Sequence, residues 1–508
     1  MLVHSHEAVS ALSSAPQNWH DIDWCRVQRN VRTMQQRIAK ACREGNWRKV
    51  KALQRMLTRS HSAKYLAVRR VTENQGKRTA GVDRILWDTP DAKWKAANGL
   101  KNRGYKPRPL RRVFIPKSNG KERPLGVPTM TDRAMQALYL LALAPVAETT
   151  GDPNSYGFRI ERSTADAMGQ LFVTLSKKVS APWILEADIQ GCFDHINHDW
   201  LIDNVPVDKT ILQKWLKAGV VHNGQLHATN AGTPQGGIIS PTLANLVLDG
   251  LETQLKKHLG ITRARKLKIN VVRYADDFVI TGTSKEVLED EVRPWVEQFL
   301  ATRGLRLSLE KTHIVHIDQG FDFLGWNFRK YSGKLLIKPS KKNVEAFYGK
   351  VKGVIDTNKT VKQDYLIRLL NPILKGWALY HQPVVAKQTY SRMDNLLFHA
   401  LWRWAKRRHP NKSLRWIREK YFRVQGSRSW VFAATTLDGN GEKRDVTLYR
   451  LADTAIERHR KVSGEYNPFD PRMEEMGEKL RMERMLKKLK YRKQILSLFR
   501  QQKGRCLV

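Results

Sequence analysis

Cysteine is scarce in this chain of 508 residues: Cys25, Cys42, Cys192 and Cys506 stand far apart, and no two form a Cys-x-x-Cys pair. That excludes a readable zinc knuckle or redox pair, and scattered thiols fit a reducing, cytoplasmic setting. Long apolar runs are missing as well. The longest near-apolar stretch, Ala134 to Ala147, falls short of the roughly 20 residues that a membrane span needs. The N-terminus has no basic region followed by an apolar core, so no secretory signal is readable. Acidic side chains are the third shortage, 48 against 90 Lys and Arg, for a net charge of +42. Such an excess requires a polyanionic partner. The basic residues are spread along the chain rather than gathered on one amphipathic helix, which points to nucleic acid and away from a membrane.

The few acids that remain are placed informatively. Arg273-Tyr274-Ala275-Asp276-Asp277 lies between two apolar, β-branched runs, Ile269–Val272 and Phe278–Ile280. The pattern predicts a β-hairpin with two adjacent carboxylates at its tip. Neighbouring carboxylates repel unless a cation sits with them. A divalent metal for phosphoryl transfer is one reading, and a plain acidic turn is the other. Far upstream, Ile184-Leu185-Glu186-Ala187-Asp188-Ile189 predicts a buried strand ending in Asp188, broken soon after by Gly191. A strand-end Asp ahead of an Asp pair is the arrangement of template-directed polymerases, and it favours the metal reading. Asp188 and Asp276 are the expected main ligands and Asp277 a supporting one. Ile189, next to Asp188, completes the expected metal-binding set. The expected cofactor is two Mg2+ ions, about 3.5–4 Å apart.

The Tyr274–Asp277 box resembles that of reverse transcriptases encoded by group II introns. The likeness continues through Tyr105–Pro109, Arg112–Gly126, Ser155–Arg159, Thr233–Pro241, Leu309–Thr312 and Phe323–Trp326, in the family's order, and covers the chain from about Trp24 onward. It implies an RNA-directed DNA polymerase of the α+β class with a right-hand shape: fingers, a ferredoxin-like antiparallel palm and a helical thumb, with basic N- and C-terminal extensions. It also implies partners: the intron RNA whose splicing the protein assists, an RNA template with a DNA primer, dNTP, and target DNA for target-primed copying during retrohoming. The setting implied is bacterial cytoplasm, and the nucleoid when target DNA is engaged. In the family an aromatic ring at Phe193 lies under the sugar and excludes a 2′-hydroxyl. Here Ile160-Glu161 stand where the family usually has Pro-Gly.

Other positions gain roles within that frame. Residues 105–128 predict a fingers hairpin turning at Ser118-Asn119-Gly120. Lys117 and Arg123, on either side of the turn, suit a nucleotide triphosphate. Gln235, with Gly236 and Gly237, would let backbone approach the template and the nascent base pair. Lys311 would protonate the leaving pyrophosphate or orient the triphosphate. The bland alternatives are solubilising charge, a core ring at Phe193, a plain glycine turn and a surface lysine. In the thumb, Arg403, Lys406, Arg407 and Arg408 are expected to contact phosphates, while Trp377 and Trp402 are expected in the core.

The chain divides into a basic helical extension over 1–60, broken at Gly45-Asn46; fingers and palm over 61–335; a maturase or thumb helical domain over 336–420; and a basic DNA-binding region over 421–508. A helix is expected from about residue 131, capped by Thr131 or Asp132 and kinked or ended by Pro145. Ser429–Phe432 and the turn at 438–441 suggest a small β element. A basic helical tail follows, with Met473, Leu480, Met485, Leu489 and Ile495 as a partial apolar stripe. Related proteins often continue into a metal-bound nuclease opening with a cysteine pair. Gly504–Val508 holds one cysteine, so that nuclease is expected to be truncated or absent. Two rival functions remain, a non-catalytic RNA-binding splicing factor on a polymerase fold and a host-adopted reverse transcriptase in defence or repair.

Overall fold

The computed structural model describes residues 16–116, 120, 122–437, 441–489, 497 and 501. Lys117, the Ser118-Asn119 part of the fingers turn, Ile495 and the Gly504–Val508 end lie outside the described residues.

Three helices open the chain, Trp24–Arg43, Trp47–Arg59 and His61–Glu73. Gly45, at φ 68, makes the first break, and Ser60 closes one helix and opens the next. Their apolar faces, including Ile38, Leu57 and Val68, pack in one cluster with Met135 and Leu138 of the long helix Met130–Thr150. That helix differs from expectation at two points. Thr129 caps it, its hydroxyl accepting the Asp132 amide, and neither Thr131 nor Asp132 does. Pro145 lies inside it and does not end it. Proline removes the amide that would have bonded the carbonyl four residues earlier. Here that carbonyl, on Leu141, accepts the Gln35 side-chain amide at 2.8 Å instead. Gln54 donates to the next carbonyl, Ala142, at 3.1 Å. A buried glutamine from the first helix thus repairs the gap.

The fingers hairpin pairs Leu110–Pro116 with Glu122–Val127. Its first strand also pairs in parallel with Val220–His222, which pairs in turn with Gln225–His227. The palm sheet runs in the order Asn270–Tyr274, Asp277–Gly282, Trp183–Asp188, His313–His316, every neighbour antiparallel. Helices Ser240–Leu248 and Arg293–Ala301 lie in the connections, which gives the ferredoxin-like order. The buried, β-branched strand residues Ile184, Val272 and Val279 back this sheet toward the second core cluster.

A three-stranded sheet, Phe321–Phe323, Trp326–Tyr331 and Lys334–Pro339, leads into the thumb. Its last strand runs across residues 335 and 336. Helices Lys341–Thr357, Gln363–His381, Lys387–Arg408 and Leu414–Tyr421 follow. Trp377 stacks on Phe347 with centroids 4.1 Å apart and Trp402 packs beside Phe422; both are half-buried against the second core cluster rather than enclosed within it. Phe422–Gln425, Arg428–Leu437 and Lys443–Thr447 then form the small antiparallel sheet.

After that sheet the chain returns to the palm as an irregular strap over residues 454–473. His459 and the Val462 amide both reach the fully buried Asp166, each at 2.8 Å. Asp166 is also half of the capping box that starts helix Thr164–Leu175. Asn467 donates to Thr149 at 3.0 Å, and Asp470 pairs with Arg43 of the first helix. Helix Glu474–Leu489 comes last; of the apolar stripe read there, Met473 and Leu480 are half-buried and Met485 is 40% exposed.

The repair of Pro145 is testable. Gln35→Ala leaves the Leu141 carbonyl buried without a donor and should cost about 1–3 kcal/mol in denaturant unfolding. Adding Pro145→Ala, which returns an amide to the helix, should recover most of that loss. An unrecovered loss would contradict the account.

Candidate active site

Strand Trp183–Asp188 runs antiparallel to Asp277–Gly282 with Asp188 directly opposite Asp277. Tyr274 is also opposite Asp277, on the other flanking strand, so Ala275-Asp276 form a two-residue turn. Residues opposite one another in a sheet point to the same face. Asp188 and Asp277 therefore share a side, and Asp276 escapes the alternation only because it sits in the turn. Asp188 and Asp277 line a cavity of about 410 Å³ together with Glu186, Glu310, Lys311 and Asp322. Asp277 is thus the residue that faces Asp188 across the two strands.

The electrostatics follow from the crowding. Burial, the hydrogen-bond contact with Asp188 and the charge of Asp276 push the Asp277 carboxyl up to about 7. Burial, with the Asp188 charge adding to it, also raises Asp276. Burial and the Asp322 charge push Glu186 up to about 7. Lys311 donates to Asp188 at 2.7 Å, and that hydrogen bond holds its ammonium above the usual lysine range. It is therefore a member of the site and not a free surface lysine.

Among the described residues no three His, Cys, Asp or Glu side chains are already gathered around a single point. The donor chemistry nevertheless fits a hard divalent cation: neighbouring carboxylate oxygens with no soft ligand among them. Ile189 is buried and bridges to Leu307, so it can offer such a cation only its backbone carbonyl.

The turn is held from beneath. Ala275 has φ 58, a left-handed conformation that costs an L-residue about 1–2 kcal/mol. Arg273, 2% exposed, donates to the Ala275 carbonyl at 3.3 Å, to Asn245 at 3.1 Å, and pairs with Asp249. Asn245 in turn donates to the Gly157 carbonyl at 2.7 Å. A Cβ at Gly157 would come within 2.3 Å of the Ala275 nitrogen, so only glycine lets this loop lie against the turn. The roles of Arg273, Asn245, Asp249 and Gly157 were missed in the sequence. Arg273 and Gly157 stand inside family motifs, but nothing local marks Asp249 or Asn245 as their partners.

Of the expected nucleotide-binding residues, Lys311 bonds Asp188 and Phe193 touches the loop that lies against the turn. Phe193 lies half-buried on the short helix Cys192–His195, just after Gly191 at φ 53. Its carbonyl accepts the Thr233 amide at 2.7 Å. Gln235 donates to both oxygens of Asp194 at 3.2 Å, and its carbonyl accepts the Gly126 amide of the fingers hairpin at 2.8 Å. The pKa of Asp276 is raised, by burial first, and the Arg123 charge of the hairpin opposes that rise only weakly. Lys117 lies outside the described residues.

The thumb cations divide. Arg403, Lys406 and Arg407 are exposed along one helix. Arg408 donates to Tyr421 and the Lys359 carbonyl and sits over the Trp404 ring, which makes it a packing residue as well.

Three family models match successive parts of the chain. "N-terminal domain of reverse transcriptase" matches residues 19–100, "Reverse transcriptase (RNA-dependent DNA polymerase)" 115–328, and "Group II intron, maturase-specific domain" 344–422. Protein YkfC of Escherichia coli (strain K12) is 33% identical over 316 residues, covering 54% of this chain and 82% of that protein. Group II intron-encoded protein LtrA of Lactococcus lactis subsp. cremoris is 30% identical over 367 residues, 59% of this chain and 60% of that one. Maturase-like protein 1 of Euglena gracilis is 25% identical over 71% of this chain and 76% of its own length. No helix among the described residues is long and apolar enough to cross a membrane.

The raised Asp277 carboxyl yields a pH test. The folded state holds this proton more tightly than the unfolded chain does, so the stability it contributes is present near pH 4 and is lost as pH rises through about 7. With divalent ions chelated, Asp277→Asn should melt several degrees above the parent protein at pH 8, and the gain should vanish toward pH 4. Equal melting temperatures at pH 8 would remove the carboxylate-crowding account.

Proposed function

The chain belongs to the family of reverse transcriptases and maturases encoded by group II introns, which are RNA-directed DNA polymerases, and from that premise we propose how its residues divide the work. The reading rests on one observation: the strand-end carboxylates of Asp188 and Asp277 oppose each other across two palm strands, with Asp276 at the adjoining turn. Reverse transcriptase domains work with divalent metal ions, and these three carboxylates are the residues that would hold two Mg2+. When bound, such a pair activates the attacking hydroxyl and neutralises charge on the leaving group.

The other residues bind and orient. The backbone around Gln235, tied to the fingers hairpin through Gly126, supports the nascent base pair. Arg123, with Lys117, meets the triphosphate of a dNTP. Phe193 lies against the sugar. Lys311, already hydrogen-bonded at the carboxylates, orients the triphosphate or supplies a proton to the departing pyrophosphate. Arg403, Lys406 and Arg407 contact phosphates of the bound nucleic acid. The substrates are an RNA template with a DNA primer and dNTPs. The partners are the intron RNA, whose splicing the protein assists, and the target DNA into which the intron is copied by target-primed synthesis. The proposed setting is the bacterial cytoplasm and, on target DNA, the nucleoid.

A non-catalytic RNA-binding role on the same fold has no use for three mutually repelling carboxylates. The two are separated by Asp276→Asn. That variant should lose cDNA synthesis on an oligonucleotide-primed RNA by several orders of magnitude while its affinity for intron RNA stays within about twofold. Full cDNA yield from the variant would refute the assignment. With a net charge of +42, affinity for RNA should also fall steeply with added salt, and a flat response would argue against a phosphate-dominated grip.

A further inference from the structure

The loop that lies against the catalytic turn contains two non-glycine residues in the left-handed region, Phe158 at φ 60 and Glu161 at φ 59. Each costs about 1–2 kcal/mol, and for a side chain as bulky as phenylalanine the conformation is an outlier. Burial does not offset it, because Phe158 is 53% exposed. Strain of this kind, kept without a packing reward, calls for another explanation.

The conformation achieves placement. Gly157 lies against Ala275, and immediately after it the Phe158 ring turns edge-to-face onto Phe193, centroids 6.2 Å apart at 81°. Among the described residues it is the one aromatic ring in contact with Phe193. The backbone of Phe193 is fixed through Thr233. Its ring is half-buried, and a ring that can swing aside admits a bulkier sugar. We infer that Phe158 is a second specificity-determining residue for the incoming nucleotide: it is the wall that keeps the Phe193 ring from yielding to a 2′-hydroxyl. This inference rests on the reading of Phe193 given above.

The strained loop is braced by the far end of the chain. The Glu161 carboxylate accepts the Tyr466 hydroxyl at 2.5 Å and Arg481 at 3.0 Å. Arg162 donates to the Tyr466 carbonyl at 2.8 Å. Where the resembling family usually has Pro-Gly, this chain has Ile160-Glu161. Glycine adopts a positive φ freely, and glutamate does so here while tied to the strap and the helix that follows it. Glu161, Tyr466 and Arg481 are therefore positioning residues, acting on the sugar through Phe158 and Phe193.

The experiment is single-nucleotide primer extension by the full chain on an RNA template. It compares kcat/KM for dCTP and CTP, with melting temperatures recorded for every variant. Phe158→Ala should raise the relative use of CTP about tenfold, and Phe193→Val should raise it at least as far. The double variant should go no further than Phe193→Val alone, because Phe158 acts through that ring. If Phe193→Val shifts the ratio and Phe158→Ala does not, the inference is overturned while the sugar gate stands. If neither shifts it, the gate falls too. Should Phe158→Ala fail to fold, Phe158→Leu, which keeps bulk and loses the aromatic edge, carries the same expectation. Tyr466→Phe with Arg481→Met should shift the ratio a few-fold in the same direction, and adding Glu161→Gly should restore it. A shift that glycine does not restore would overturn the brace.

Discussion

Arg273 carries a charge into the base of the palm with 2% of its surface exposed, and the catalytic turn depends on the partners it meets there. A buried guanidinium is costly unless its donors are used. Here its two terminal nitrogens bond Asp249, Asn245 and the Ala275 carbonyl, while Nε stays buried without a partner. Asp249 is itself so enclosed that burial pushes its carboxyl up to about 6 even beside Arg273. Asp152, on the same floor, accepts the backbone amides of Gly250, Glu252 and Thr253. Glu148 grips Arg159 at 2.9 Å with both side chains almost fully buried. A polar layer thus lies beneath the sheet. It ties the start of helix Leu251–His258, the loop through Gly157 and the hairpin into one unit, and it offsets the strain of a turn without glycine.

This layer explains the division of labour above it. The carboxylates repel one another, so they do not hold their own geometry. The sheet register sets Asp188 against Asp277, and Arg273 and Gly157 set the turn that carries Asp276. Stability is concentrated below the site, and the repulsion is left at its surface, where a cation or a proton can relieve it.

The sequence was most legible where local pattern and motif agreed. The strand ending at Asp188, the hairpin around Ala275-Asp276 and the small sheet after the thumb follow from β-branched runs and turn residues. How the helix continues through Pro145 was not legible, because the Leu141 carbonyl finds its donor in Gln35, more than a hundred residues earlier, and no local pattern announces such a partner. That Asp277 is the residue facing Asp188 across the strands was not legible for a related reason: it depends on a register that only the folded sheet defines. The strap went unread because residues 454–473 have neither helical nor strand periodicity. Their burial comes from single anchors such as Asp166 and Thr149, which lie about 300 positions away.

The pairing of Arg43 with Asp470 joins residues 427 positions apart. A ribosome adding about 5–20 residues per second needs roughly 20–90 seconds to cover that distance. During that interval the opening helices, with their excess of arginine and lysine, are out of the exit tunnel while their carboxylate partner has yet to be made. The tie between the first helix and the strap can therefore form only late in synthesis, once Asp470 has been made.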